Sequence, residues 1–144
     1  MKTIPLYELK KIKSQFPSEK INSADAGASF IKKFYSDDIE IFESVFILLL
    51  NNANETIGYA KISQGGITGS FVDIRIVCKY AIDSLATSVI IAHNHPSGKL
   101  TPSDADLQIT KKLKNALSTL DVLLLDHIII TADGFYSIHG NRTF

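Results

Sequence analysis

Apolar residues in this chain fall into short unbroken runs separated by stretches with helical spacing. Residues 42–50 form a β-branched and aromatic run that reads as a buried strand. Asn51 to Asn54 is a turn, and residues 55–63 read as the return strand of a hairpin. Gly65, Gly66 and Gly69 then mark a flexible connection. From Asp73 the period changes: Ile74, Val77, Cys78, Ala81, Ile82 and Leu85 recur three or four apart, which predicts an amphipathic helix packed by one face. TSVIIA at 87–92 reads as a short buried strand, followed by a polar loop from His93 to Pro102. A second helix starts at Ser103, with Ile109, Leu113, Ala116, Leu117 and Leu120 facing inward. Residues 122–130 form another buried strand, and Asp133-Gly134 turns into a last strand near Phe135 to Ile138.

Upstream, Ser23 caps a helix running to about Tyr35, with Gly27, Phe30, Ile31 and Phe34 on one face. Asp37 and Asp38 break it. Residues 1–22 are ambiguous: Ile4 and Leu6 alternate as in an edge strand, while Leu6, Leu9 and Phe16 tolerate a helix, and the strand is the preferred reading. Mixed strands with helices between them predict an α/β fold, a mixed β-sheet flanked by α-helices on both faces. The expected division is an N-terminal segment, 1–38, packing on a core domain, 39–144.

With 144 residues, one domain can bury a full core without disulfides, and the lone Cys78 makes no internal bridge. Cys78 lies on the apolar helix face and reads as a small core residue. Low cysteine use fits a reducing compartment. The longest apolar run is far too short to span a bilayer, and the N-terminus lacks the pattern of a signal peptide, so a cytoplasmic protein is expected. Lysine plus arginine equal aspartate plus glutamate at 15 each, which gives no strong sign of nucleic-acid binding. The basic clusters Lys10-Lys11-Lys13 and Lys111-Lys112-Lys114 read as solvated faces.

The stretch HNHPSGKLTPSDAD, residues 93–106, follows a buried strand and runs into a helix. Ligand sites in α/β sheets gather at such strand ends. Residues two apart on extended backbone point to one side, so His93 and His95 can present two imidazoles to one point. Asp106, in the first turn of the next helix, can supply a carboxylate if the loop folds back. Two histidines and a carboxylate leave a fourth tetrahedral position open, as catalytic zinc requires. The same residues have a second reading. Ser103-x-x-Asp106 is also a capping-box pattern with Asp in the last place, and spacing alone does not choose between cap and metal site.

His-x-His, seven residues, Ser, two residues, Asp is the metal motif of the JAMM (MPN+) metallopeptidases, and His93, His95, Ser103 and Asp106 fit it without a gap. The longer string HNHPSG…PS..D resembles the RadC branch. So do LLLNNAN, the Gly65-Gly66 turn, Arg75 on the middle helix and LLDHIII at 124–130, so that the resemblance spans roughly residues 40–138. It implies a JAB/MPN domain with cytidine-deaminase-like layering. It implies zinc held by His93, His95 and Asp106, and hydrolysis of a peptide, isopeptide or related amide in an unidentified peptide or protein substrate. The upstream glutamate of that motif maps to Glu43, eight residues before Asn51 and at the opening of a buried strand. Glu40 and Glu55 sit in polar surroundings. Glu43 would serve as general acid/base and Ser103 would donate to the developing oxyanion, a contact worth about 2.7–4 kcal/mol where comparable donors are removed.

Departures from the resemblance lie away from the metal motif. Ile74 and Ile76 stand where RadC-like chains carry Pro and Glu around the helix arginine, and Asn51 replaces an Asp. Residues 1–38 show no helix-hairpin-helix pattern, which removes support for a DNA role resting on one. A zinc deaminase is excluded, since H-x-E with P-C-x-x-C is absent. A metalloprotease HExxH helix is absent too. The competing class is a non-catalytic protein- or DNA-associated module that keeps the metal site. His127, beside Asp126 in an apolar strand, is expected to support the ligands rather than join them. His139 is expected to be exposed.

Overall fold

A computed structural model describes residues 1–8, 10–65 and 71–144. Leu9, Gly66 and Gly69, named above, lie outside the described residues. The apolar run Ser44–Leu50 forms β1, buried along its whole length. β2 (Thr56–Gln64) returns antiparallel to it. Helix α2 (Ile74–Asp83) leads into β3 (Ser88–Asn94), which pairs antiparallel with the other side of β1. Helix α3 (Asp104–Thr119) then carries the chain to β4 (Leu123–Ile130), parallel to β3, and β5 (Phe135–Ser137) closes the far edge antiparallel. The strand order is β2-β1-β3-β4-β5, a mixed sheet of the expected α/β class. No helix among the described residues is long and apolar enough to cross a membrane.

Side chains alternate across the sheet, so two cores form. Val45, Ile47, Leu49, Val89 and Ile91 meet Val77, Ala81, Leu113 and Leu117 of α2 and α3. On the other face Leu48, Leu50, Ile90, Ala92, Ile128 and Ile130 meet Ala28, Phe30 and Ile31 of α1 (Ala24–Lys32). Ser23 caps α1 through its side chain, as its residue type predicts.

The β3–β4 ladder holds one irregularity that matters below. Val89 pairs with Leu124, but Ile90 pairs with Asp126, so β4 carries one extra residue, Leu125. A bulge of this kind shifts every later side chain to the opposite face. Leu124 packs with the α2/α3 core and Ile128 with the α1 core. His127, paired with Ile91, therefore shares the α2/α3 face with His93.

Several expectations need correction. The described residues before Lys20 form no strand, and the one pairing there is an isolated bridge from Lys20 to Glu55. Ile4 and Leu6 are 93% and 84% exposed, so their alternation has no surface to cover. α1 ends at Lys32 rather than near Tyr35, and the Asp37-Asp38 break is itself a 3-10 turn, Asp37–Glu40. Ile82, Leu85 and Leu120 are exposed rather than packed in the core. Leu85 stands just past α2 with φ 57°, in the left-handed turn that lets Ala86 N–H reach the Ala81 carbonyl and stop the helix. Leu120 occupies the equivalent end of α3, next to Asp121, whose φ is also 57°. After β5 a short helix, α4 (Ile138–Asn141), replaces the expected strand end. Cys78 is half-buried against the α2/α3 core, and burial pushes its thiol up.

Candidate metal centre

His93 lies in the last turn of the pleat of β3, with its side chain on the α2/α3 face. His95 follows one residue past the strand, and its backbone N–H still reaches the Ile130 carbonyl, so the extended direction persists. The two imidazoles therefore converge, Nε2 to Nε2, at 2.9 Å. Asp106 comes to them from the first turn of α3. Its Oδ1 is 3.3 Å from His93 Nε2 and its Oδ2 is 3.2 Å from His95 Nε2. Glu43 arrives from the residue before β1, with Oε1 3.9 Å from His93 Nε2. All four side chains are 16% exposed or less.

The turn that folds Asp106 back is the capping box of α3. Ser103 Oγ accepts from Asp106 N–H, and Ser103 N–H donates to Asp106 Oδ2 at 2.8 Å. The cap reading of Ser103-x-x-Asp106 holds, and the cap also sets the carboxylate beside the two imidazoles. Ser103 itself is exposed at the N-cap.

Electrostatics favour a cation here. His95 Nδ1 lies 2.7 Å from the Lys99 carbonyl, which only accepts, so Nδ1 carries hydrogen and a neutral His95 turns a bare Nε2 to the centre. Contact with Asp106 raises the His95 pKa, with burial opposing. Burial works to raise Asp106, but the adjoining His93 and His95 imidazoles, in whatever fraction they are protonated, outweigh this and hold it below the usual carboxylate range. Glu43, His93 and His95 could hold a metal ion, since one donor atom from each lies within 4.8 Å of the others. The Asp106 carboxylate lies against both histidines of that set. A tetrahedral zinc shell with bonds of about 2.0–2.1 Å has donors about 3.3 Å apart. The His93 Nε2–Asp106 Oδ1 separation of 3.3 Å matches that edge, His95 Nε2 stands 3.2 Å from the other carboxylate oxygen, the two Nε2 atoms are closer at 2.9 Å, and Glu43 stands farther out. A cavity of about 210 Å³ opens beside the centre, lined by Glu43, His93, Asp106, His127, Val72 and Ile109 among others. A larger hollow of about 690 Å³, between the N-terminal segment near Lys10 to Phe16 and strand β2, contains none of these groups.

Three contributors escape the sequence reading. Asn94, between the two histidines, points to the opposite face and is fully buried. Its Oδ1 accepts from Ser44 N–H at 2.7 Å, and its Nδ2 donates to the Ile39 and Phe42 carbonyls at 2.6 and 2.8 Å. It thus clamps the segment that carries Glu43. The signal was available: if His93 and His95 share a face, Asn94 must take the other. Thr110, buried in α3, touches His127 Nδ1 at 2.5 Å, and His127 Nε2 is 2.8 Å from His93 Nδ1. Burial, reinforced by His93, pushes the His127 pKa well below the usual imidazole value. Asp126, also buried, accepts from the Ser137 hydroxyl, His127 N–H and His139 N–H, and ties β4 to the start of α4. His139 is exposed and lies edge-on to Phe144.

Comparison with known proteins gives the chain a family. Residues 21–143 match the family model described as RadC-like JAB domain. A UPF0758 protein of Flavobacterium johnsoniae is 53% identical over 102 residues, covering 71% of this chain and 44% of its own length. Similar UPF0758 proteins occur in Porphyromonas gingivalis, 39% identical over 65% of this chain and 41% of the relative, and in Chlorobaculum parvum, 36% identical over 86% and 57%. The chain spans about half the length of these curated relatives. On the match of nearly its whole length, the chain belongs to the RadC-like JAB domain family.

Proposed function

We propose that this domain is a zinc-dependent hydrolase of the JAMM metallopeptidase type, acting on a peptide, isopeptide or related amide bond. One observation carries the reading: the Asp106 carboxylate meets both imidazoles, Oδ1 at 3.3 Å from His93 Nε2 and Oδ2 at 3.2 Å from His95 Nε2, while Glu43 sits a step outside them. His93, His95 and Asp106 would hold the zinc. When bound, zinc lowers the pKa of a coordinated water to about 7 and polarises a carbonyl.

The chain's own groups supply the rest. Glu43, clamped from behind by Asn94, accepts a proton from the attacking water and returns it to the leaving amine. Its carboxyl group is kept near the centre by the same clamp. The Ser103 hydroxyl spends its lone pair on the Asp106 N–H, which leaves its hydrogen for a developing oxyanion. The adjoining cavity, apolar along Val72 and Ile109, offers the substrate a partly dry wall.

The test combines metal analysis with an unbiased peptide-library cleavage assay, run with and without added zinc. About one zinc per chain is expected, lost in His93→Ala and Asp106→Ala. Glu43→Gln should keep the zinc and lose cleavage. Protein that never takes up zinc, or equal cleavage by Glu43→Gln, would refute the proposal.

A further inference from the structure

We propose that Thr110 and His127 are positioning residues that lock His93 into the tautomer whose bare Nε2 faces the metal centre. The inference rests on the reading of His93 as a zinc ligand and deepens it.

The hydrogens can be followed one at a time. Thr110 Oγ1 lies 2.6 Å from the carbonyl of Asp106, four residues earlier in α3, the usual back-bond of a helical threonine. A carbonyl only accepts, so the single hydroxyl hydrogen goes there. The 2.5 Å contact between Thr110 Oγ1 and His127 Nδ1 must then use a hydrogen on the nitrogen. His127 is 1% exposed, and the neutral imidazole such a site favours has one ring hydrogen, so its Nε2 is left as an acceptor. The 2.8 Å contact from that Nε2 to His93 Nδ1 therefore uses a hydrogen on His93. A neutral His93 then has a bare Nε2, and that atom is the one 2.9 Å from His95 Nε2 and 3.3 Å from Asp106 Oδ1.

The two histidines reach the same state by different means. His95 lies beyond the strand, where the Lys99 carbonyl is available to it directly. His93 lies within the β1–β3–β4 ladder, where strand carbonyls are occupied by pairing. A second imidazole supplies the missing acceptor, and the bulge at Leu125 brings it to the correct face. The relay starts on the backbone of Asp106 and ends on His93, so two members of the centre are tied through a path that avoids the metal.

Two measurements test this. In metal-free protein at pH 8, imidazole nitrogen-15 NMR should show hydrogen on His93 Nδ1 and none on Nε2. Hydrogen on Nε2 would overturn the proposal, and this reading needs no variant. Thr110→Val keeps the shape and removes the hydroxyl, so zinc affinity by chelator competition should fall about 10–100-fold, the usual effect of losing such a supporting contact. Thr110→Ser should restore it to within a few-fold. A merely structural role for Thr110 would lower the metal-free melting temperature yet leave the zinc affinity and tautomer unchanged, and that result also overturns the proposal. If wild-type protein bound no zinc, the hydrolase reading would fall, while the NMR signal would still decide this one.

Discussion

Asn94→Ala removes the clamp behind Glu43, and its cost can be worked from the bonds it breaks. Three go: Ser44 N–H to Oδ1, and Nδ2 to the Ile39 and Phe42 carbonyls. Ser44 is 4% exposed, so its N–H is stranded away from water and carries a full desolvation cost of about 1–3 kcal/mol. The two carbonyls belong to partly or wholly exposed residues, where water can replace the amide, so each loses only about 0.5–1.5 kcal/mol. Together the loss is about 2–6 kcal/mol, a large share of the stability of an ordinary domain. At about 2–4 °C per kcal/mol for a chain of this size, melting should fall by roughly 10 °C. Asn94→Asp is the sharper variant. It keeps the acceptor for Ser44 but aims a second oxygen at two carbonyls, so it should be no better than alanine despite its shape. Urea unfolding of all three proteins decides the matter. If Asn94→Ala loses less than 1 kcal/mol, or Asn94→Asp matches wild type, the clamp is not what holds the Glu43 segment.

Two further outcomes follow from the same structure. In metal-free protein the His95 pKa is raised, so its contribution to stability is whole below the unfolded value of about 6.5 and fades as pH rises through the folded value. The Asp106 pKa is lowered, so its share is whole above about 3.9 and fades only as pH falls below that. The unfolding free-energy difference between wild type and His95→Gln, measured in chelator, should therefore shrink from pH 6 to pH 8, and a difference that grows would refute the assignment. At Gly27, inside α1, an added Cβ would meet Ile128, Ile21 and Ile90 side chains at 3.4–3.5 Å, ordinary contact distances. Gly27→Ala should stabilise the protein by about 0.5–1 kcal/mol through lost backbone freedom of the unfolded chain, and a drop in melting temperature would show that the fit is tighter than this.

The parts of the fold that were legible are those whose burial leaves a mark on neighbouring residues. β1 and β3 are covered on both faces, so SVFILLL and TSVIIA read as strands without context. The histidine pair was legible because two-residue spacing needs only extended backbone. Asp106 needed the loop to close, and the capping box that closes it is a local pattern. His127 and Thr110 were harder. Their meeting depends on Leu125 being an extra residue opposite β3, a property of two strands at once that neither strand displays alone. The N-terminal segment misled for the opposite reason. Alternation implies a strand only if one side is covered, and Ile4, Leu6 and Tyr7 cover nothing.

The spare residue in β4 makes the strand a parity device. Deleting Leu125 would leave a regular ladder in which Leu124 and His127 keep their present faces, whereas a strand that kept Leu125 but ran without the bulge would set those two residues on opposite sides of the sheet. Sequence drift in this strand can thus swap isoleucine for valine freely, but pairing Leu125 regularly with Ile90 would bring Asp126 to where the second imidazole belongs. In comparing members of this group, the count of residues between the end of α3 and the Asp-His pair is therefore as informative as their identities.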